Sequence, residues 1–326
     1  MDVLASALAA MRLGPTRSAR TEVHAPWGLR FRQVGGSTFH VVLDGNCWLL
    51  SDPGATTAGA TAAAEPVRLE TGDVVFLRHG TAHVLADDPA TPPADFAPSG
   101  WSPGATIGRV EIDGPGDRAL LICGAYRLGR AREHPLVEEL PEVLHLRAAQ
   151  LPARGLVSAI ELLGGELKHD RPGRDGVVPA LVDAMLLLIL RAWLEIRTAT
   201  DPRPTGWAGA IADPGIGGAL AALHAEPERP WTVAQLAARA GLSRSTFAQH
   251  FTNLVGAPPL GYLTWWRMTL AERTLRESDA PLSTVARQVG YTSEFAFAKA
   301  FKREHGIAPG RYRSRSERAP EYLEQG

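Results

Sequence analysis

The chain has 326 residues, of which 45% are hydrophobic, enough for two or three domains with cores of their own. Its formal net charge of −1 hides an uneven distribution. Residues 228–318 hold fourteen Lys and Arg against seven Asp and Glu, or +7, while the rest holds 20 against 28, or −8. With only two cysteines the sequence argues against a disulfide framework and favours a cytoplasmic protein.

The N-terminal sequence MDVLASALAAMRLG predicts a short amphipathic helix. It differs from a signal peptide because it carries Asp2 and lacks a basic start followed by an apolar core. No apolar run reaches membrane-spanning length, since the longest, residues 184–190, ends at Arg191. We therefore expect a cytoplasmic protein without a membrane partner.

Residues 31–126 predict a β domain built of many short strands. Strands are expected within 31–50, within 67–85, and again at 105–112 and 119–126, with turn signals at Gly45 and Gly72. Residues 53–66 and 87–103 have the composition of connections. The pattern favours a small barrel or a jelly roll.

The segment GDVVFLRHGTAH, from Gly72 to His83, resembles the second sequence motif of the cupins, with Arg78 in place of proline. The resemblance covers roughly residues 29–126 and implies a cupin-like sensor barrel. Enzymatic cupins bind a metal through two histidines and a glutamate of their first motif. Those positions hold Phe31, Gln33 and Thr38 here, so a cupin metalloenzyme is not expected.

Four side chains on the predicted strands form a soft-ligand set: His40, Cys47, His83 and Cys123. Two imidazoles and two thiols suit zinc, and thiols also suit a redox-sensitive site. We hypothesise that at least three of them converge. The alternative is that they are ordinary core residues, because no pair has the spacing of a metal motif and buried cysteine commonly acts as a small hydrophobe. Trp48, Phe76, Trp101 and Tyr126 are candidates for an effector pocket, or equally for core.

Two helices are predicted after the β domain, at residues 152–168 and 177–196. The second is apolar on nearly all sides, so it must be buried against another surface. A dimer contact and simple packing on the barrel both satisfy this requirement. Residues 201–209 (DPRPTGWAG) have the composition of a linker.

The last third of the chain contains two related segments, WTVAQLAARAGLSRSTFAQHF from Trp231 and LSTVARQVGYTSEFAFAKAF from Leu282. Each predicts a helix, a turn at Gly241 or Gly290, and a second helix, which is a helix-turn-helix unit. The offset between the segments grows from 49 to 50 residues after the glycine, so the second turn has one extra residue. Residues 259–276 predict one long helix that holds the two units at a fixed separation.

Residues 214–315 resemble the DNA-binding domain of the AraC/XylS family of bacterial transcription regulators, in which two such units enter successive segments of the major groove. In that family a cupin-type sensor barrel often precedes the DNA-binding domain, and helices after the barrel commonly form the homodimer contact. The resemblance therefore implies promoter DNA, RNA polymerase and a second copy of the chain as partners. The basic charge of this third independently favours contact with phosphate.

Groove geometry selects the candidate DNA contacts, because the start of each second helix faces base edges and nearby basic groups meet phosphate. In the first unit these are Arg244, Ser245, Thr246, Ala248 and Gln249. In the second they are Glu294, Phe295, Ala298 and Lys299, with Lys302, Arg303, Arg311 and Arg313 as phosphate contacts. Gln249 is the best base reader because its amide can bond adenine in two places. Glu294 suits cytosine or an exposed helix cap, and Arg267 suits an internal salt bridge better than DNA.

The predicted fold class is α+β, with a cupin-like sensor domain (residues 1–150), a helical dimerisation region (151–200), a linker (201–212), an AraC-type all-α DNA-binding domain (213–318) and a tail (319–326). The predicted function is a DNA-binding transcription factor, with activation as the expected output and no enzymatic activity. Its signal is an unidentified small molecule or oxidant, and zinc is the one cofactor the sequence suggests. The alternatives are a cupin metalloenzyme or a zinc-thiolate repair protein fused to a DNA-binding domain, and a structural nucleoid protein.

Overall fold

The computed structural model describes residues 2–12, 16–52, 65–99, 107–126, 134–151, 154–169, 171–201 and 204–317. The chain divides into two compact units. The β unit takes in residues 13–128 and 140–196, and the helical unit takes in residues 1–12, 129–139 and 197–326. The predicted tail, most of the 53–66 connection and Trp101 lie outside the described residues.

The β unit is built of short strands that form two sheets. In the described residues they are β1 (Arg17–His24), β2 (Gly28–Phe31), β3 (Ser37–Asp44), β4 (Asn46–Ser51), β5 (Val67–Glu70), β6 (Val74–Leu77), β7 (His83–Ala86), β8 (Ala94–Asp95), β9 (Ile107–Ile112), β10 (Arg118–Tyr126) and β11 (Val143–Leu146). One sheet has the order β11-β6-β3-β10-β1-β9 and the other the order β5-β4-β7-β2-β8. This architecture confirms the predicted cupin-like, β-rich domain.

Two glycine turns carry the chain from one sheet to the other. Gly45 joins β3 to β4 and Gly72 joins β5 to β6, with φ of +78° and +89°. A Cβ on Gly45 would meet the Arg118 carbonyl oxygen at 2.5 Å, so this turn requires glycine. Because these turns switch sheets, side chains from both sheets share one core, including Val42 and Leu85.

Two helices follow the strands of the β unit: α3 (Arg154–Lys168) and α4 (Arg174–Thr200). The sequence predicts both, but α4 extends several residues beyond each predicted end. By length and composition α4 could cross a membrane, although no uninterrupted apolar run in the sequence reaches membrane-spanning length. Half of the most apolar stretch of α4 is buried inside the protein. The Tyr126 hydroxyl donates to the Val182 carbonyl at 2.7 Å, which ties α4 to β10. Tyr126 and Phe76 are buried and Trp48 is partly buried.

The helical unit contains α1 (Val3–Met11), α2 (Pro135–Glu138), α5 (Gly206–Ala212), α6 (Pro214–Ala225), α7 (Val233–Arg239), α8 (Arg244–Val255), α9 (Pro259–Glu277), α10 (Leu282–Gln288), α11 (Glu294–His305) and α12 (Pro309–Glu317). The sequence places α1 and α2 in the sensor domain, but the structure packs both in the helical unit. Part of the predicted linker is also folded. Trp207 of α5 is fully buried and its backbone N–H donates to the Glu139 carboxylate at 2.8 Å.

A buried chain of hydrogen bonds joins the added segments to the rest of the helical unit. Ser6 Oγ lies 2.6 Å from Nδ1 of His224, and His224 Nε2 lies 2.6 Å from the Tyr262 hydroxyl. That hydroxyl lies 3.5 Å from Nε2 of His134, whose Nδ1 accepts the backbone N–H of Leu136. The chain connects α1, α6, α9 and the segment that holds α2. Burial lowers the pKa of His224 to about 3 and holds the pKa of His134 well below its usual value.

We expect the helical unit to lose stability as the pH falls below the ordinary histidine pKa of 6.5. The unfolded chain then protonates His224, whereas the folded chain does so only near its pKa of about 3, so protons favour unfolding across this window. His224→Gln should flatten this dependence. At neutral pH it should cost about 1–3 kcal/mol, because a buried partner of Tyr262 is lost.

Urea unfolding of the full chain at a series of pH values between about 4 and 7 measures both effects. The comparison with His224→Gln separates this histidine from the carboxylates, which titrate in both proteins. Parallel dependences of stability on pH in the two proteins would contradict a neutral, buried His224.

Candidate nucleic-acid interface

The first helix-turn-helix unit consists of α7, a glycine turn and α8. Thr232 and Gln235 form a capping box at the start of α7, in which each side chain accepts the other residue's backbone N–H. The turn places Gly241 at φ +68°, in the left-handed region. Ser243 then caps α8 by accepting the backbone N–H of Thr246. The predicted turn and cap are both confirmed.

The second unit repeats this construction with α10 and α11. Gly290 has φ +79°, and a Cβ there would meet the Glu228 carbonyl oxygen at 2.6 Å. Ser293 caps α11 as Ser243 caps α8. Two residues separate Gly290 from Ser293, but one separates Gly241 from Ser243. The extra residue predicted for the second turn therefore lies between its glycine and the helix cap.

Buried phenylalanines fix which faces of α8 and α11 point outward. Those without exposed surface are Phe247, Phe251, Phe297 and Phe301. The predicted base-reading residues lie on the opposite faces: Arg244, Ser245, Thr246 and Gln249 in α8, and Glu294, Phe295 and Lys299 in α11, are exposed, whereas Ala248 and Ala298 are partly buried. The two helices thus present equivalent positions to solvent.

Helix α9 belongs to the packing of both units, which confirms the predicted connecting helix. Tyr262 is buried and packs its ring 6.0 Å from that of Phe251 in the first unit. Further along α9, Met268, Ala271 and Leu275 share a buried cluster with Phe297 and Phe301 of the second unit. One rigid element therefore sets the separation of α8 and α11.

Arg267 of α9 contacts other residues of the fold, as the sequence predicts. Its partners are backbone carbonyls, whereas the sequence suggested a salt bridge. Its Nε donates to the Pro227 carbonyl at 2.6 Å and its Nη2 to the Arg229 carbonyl at 2.9 Å. The guanidinium also lies 5.9 Å from the Tyr291 ring, in the turn of the second unit. Arg267 therefore ties the loop before α7 to the second turn.

A histidine of α8, the second helix of the first unit, contacts the carboxylate that caps α6. His250 Nε2 lies 2.9 Å from the Asp213 carboxylate, which also accepts the Gly215 and Ile216 N–H groups and caps α6. Burial tends to raise the pKa of Asp213, but these hydrogen bonds outweigh it and lower that pKa. Sequence reasoning missed this pair, although Asp213 followed by Pro214 is a typical helix start.

A buried carboxylate holds α12 against α9. Glu272 accepts the Tyr312 hydroxyl at 2.6 Å and Arg276 Nη1 at 2.6 Å. Burial, followed by the hydrogen bond to Glu272, raises the pKa of Tyr312 to about 12, so the phenol stays protonated. This contact positions the start of α12, where Arg311 is exposed.

The predicted phosphate contacts differ in how free their side chains are. Lys302, Arg303 and Arg311 are exposed, and Arg303 pairs loosely with Glu304 at 3.8 Å. Arg313 is half-buried and its Nη2 donates to the Ala280 carbonyl at 2.5 Å. One N–H group of the Arg313 guanidinium is thus bonded within the fold, and its assignment as a phosphate contact stays a prediction.

In the β unit, the structure brings together the two predicted histidine ligands. Nε2 of His40 lies 2.7 Å from Nε2 of His83, and both side chains are buried. His83 Nδ1 donates to the Thr81 carbonyl at 2.7 Å, so its Nε2 accepts the proton of His40 Nε2. Phe31, at a position where enzymatic cupins have a ligand, stacks on His83 with ring centroids 4.8 Å apart. Burial lowers the pKa of His83 to about 4 and that of His40 well below its usual value, so both rings are neutral.

The two cysteines do not join this pair. Across the described residues, no three His, Cys, Asp or Glu side chains converge as metal ligands, so the expected set of three is not formed. Cys47 and Cys123 are free thiols in the apolar core, and Thr21 donates to the Cys123 sulfur at 3.7 Å. Burial raises the pKa of Cys123 to about 12 and raises that of Cys47 further. Both are neutral thiols, which are poor ligands and poor nucleophiles. These thiols stay protonated because their apolar surroundings disfavour a thiolate.

A cupin family model matches residues 2–195, and a helix-turn-helix domain model matches residues 236–315. A Streptomyces lividans protein named as an AraC-like transcription regulator is 35% identical over 317 residues, covering 96% of this chain and 98% of that protein. The RCS-specific HTH-type transcriptional activator RclR of Escherichia coli is 28% identical and covers 78% of this chain and 82% of its own length. The crystal structure of the AdpA DNA-binding domain with a target DNA is 37% identical, covers 32% of this chain and 96% of that chain, and has a TM-score of 0.31.

Proposed function

The chain belongs to the AraC family of transcription regulators and is a DNA-binding transcription factor, and we propose that α8 and α11 read two successive major-groove segments of one promoter site. The observation that carries this proposal is the shared helix α9, which presents equivalent faces of both recognition helices at a fixed separation. The seven excess positive charges of residues 228–318 supply attraction to phosphate.

Within each groove we assign base reading to Gln249 in α8 and to Lys299 at the equivalent position of α11. Both are exposed and lie two residues after a buried phenylalanine, on the face turned away from the core. An amide such as that of Gln249 can bond adenine in two places, and lysine can bond guanine. Arg311, Lys302 and Arg303 are assigned to phosphate.

The proposal extends to regulation. The chain acts as a homodimer in the cytoplasm, its cupin-like domain receives an unidentified signal, and DNA binding activates transcription by RNA polymerase. The relative RclR is by name an activator, which supports the direction of the output. Enzymatic activity forms no part of the proposal. Phe31, Gln33 and Thr38 stand where enzymatic cupins hold metal ligands, and the ring of Phe31 fills its place against His83.

Substitution of Gln249 tests base reading. Gln249→Ala should weaken binding to a specific site by about 1–3 kcal/mol and leave binding to random DNA unchanged, because the lost bonds are to a base edge. Gln288→Ala is the matched control, since Gln288 is an exposed glutamine at the end of α10, outside the recognition helices. Fluorescence anisotropy with a site selected from a random duplex pool measures these affinities.

Arg311→Ala should behave differently. It should weaken binding to specific and random duplexes alike and reduce the slope of log affinity against log salt by about 0.9, as expected for one lost phosphate contact.

Equal losses on specific and random DNA for Gln249→Ala would contradict the role of Gln249 as a base reader.

The homodimer proposal is supported by apolar side chains left exposed on the helices after the barrel. Leu162 of α3 is 52% exposed and Val177 of α4 is 41% exposed. Leu188, near the middle of the apolar pattern of α4, is half-buried, so its substitution would also damage the fold. Leu162 is therefore the sharper position for a test.

Leu162→Glu should convert a dimer into a monomer in sedimentation velocity, because a buried carboxylate is costly at an apolar contact. Leu260→Glu, at a leucine that is 42% exposed in the helical unit, should leave the dimer intact. A wild-type chain that sediments as a monomer at high micromolar concentration would exclude the dimer.

A further inference from the structure

One exposed aromatic residue stands apart from the others in the described chain. Phe295 is 80% exposed, whereas the next most exposed large hydrophobic side chain, Leu162, is 52% exposed. Removing a phenylalanine side chain from water stabilises by about 1.5–3 kcal/mol, so an almost fully exposed ring gives up this gain in the free protein. Phe295 is the second residue of α11, directly after Glu294 and the Ser293 cap.

The repeat shows that the fold does not require an aromatic residue at this position. With Ser243 aligned on Ser293 and Phe247 on Phe297, Phe295 corresponds to Ser245. Ser245 is exposed as well, and the first unit forms the same capped helix with serine there. Phe295 therefore contributes something that the helix-turn-helix fold itself does not need.

The location suggests what that contribution is. The N-terminal residues of the second helix in such a unit meet base edges in the major groove. The thymine 5-methyl is the apolar group that the bases present in this groove, and phenylalanine is one of the side chains that contact it. The residue one helical turn further along α11 is Lys299, which is assigned to base reading, so Phe295 lies beside a base-reading position. The ring is thus placed for a base and not for the backbone.

We infer that Phe295 reads the 5-methyl group of a thymine in the major-groove segment bound by α11. This inference rests on the proposed function. The first unit then reads bases by hydrogen bonding through Gln249, and the second unit adds an apolar contact through Phe295 to the hydrogen bonding assigned to Lys299. Sites with cytosine in place of that thymine would lose the contact.

The test uses the full-length protein and a duplex selected from a random pool. Each thymine in the α11 segment is replaced in turn by uracil, which removes the methyl and keeps the base pair. We expect one replacement to weaken wild-type binding about fourfold, the value of one buried methyl-sized group. Phe295→Ala should lose at least as much on the thymine duplex and show no further loss on the uracil duplex. This lack of additivity identifies the pair in contact.

Ser245→Ala is the matched control, because it alters the equivalent position of the first unit. It should retain the full effect of the same uracil. The Tm of Phe295→Ala should not fall below that of the wild type, since 80% of the side chain is exposed in the folded chain.

Several outcomes would overturn the inference. One is that no single uracil weakens wild-type binding. Another is that the uracil effect persists in Phe295→Ala. A third is unchanged DNA affinity of Phe295→Ala with reduced transcription, which would place the ring on a protein such as RNA polymerase. In each of these the proposed function survives if Gln249→Ala still loses specific binding. If the wild type selects no sequence from the pool, the proposed function fails together with the inference.

Discussion

Helix α9 is the element on which the DNA-binding geometry depends, because both helix-turn-helix units use it as part of their cores. Its first half buries Tyr262, Trp265 and Trp266, and its second half buries Met268, Ala271 and Leu275 with the phenylalanines of α11. A helix rises about 1.5 Å per residue and resists bending, so side chains fixed to its two halves keep a fixed distance and rotation. Arg267 strengthens this arrangement by bonding the loop that precedes the first unit.

Both units contain buried, neutral histidines, which form a hydrogen-bond chain in one unit and a pair in the other. His224 and His134 complete a buried polar chain around Tyr262 in the helical unit, while His40 and His83 pair in the core of the β unit. In each case burial makes the charged form costly, so the rings act as hydrogen-bonding core groups. His40 Nδ1 has no hydrogen-bond partner and is buried. Phe31 stacks on the other ring of this pair, which leaves a polar patch enclosed by apolar side chains.

The sequence predicts the local parts of this structure well because their determinants are local. Glycine at positive φ, serine at a helix start and phenylalanine at helical spacing each specify a conformation within a few residues, so Gly241, Ser243 and Phe247 suffice to locate the first unit. The outward faces of α8 and α11 follow from the same periodicity.

Other features depend on contacts between distant residues and are not visible in a pattern. The sequence predicts a helix at α1, but its packing on α6 rests on Ser6 and His224, which are 218 positions apart. The same limit applies to the thiols: the sequence places Cys47 and Cys123 on strands, yet only the tertiary fold shows that they complete no ligand set with the histidines, even though Cys123 lies opposite His40 in the pairing of β10 with β3. Arg313 was assigned to phosphate from its charge, and its bond to the Ala280 carbonyl depends on how α12 packs.

The spacing between the two halves of the DNA site tests the central claim most directly. The selected duplex is lengthened by about five base pairs, or half a helical turn, between the segments bound by α8 and α11. Because α9 fixes the two recognition helices relative to each other, this insertion should reduce affinity to that of a duplex with one segment scrambled. Affinity for the lengthened duplex equal to that for the original would show that the two units move independently and would contradict the account.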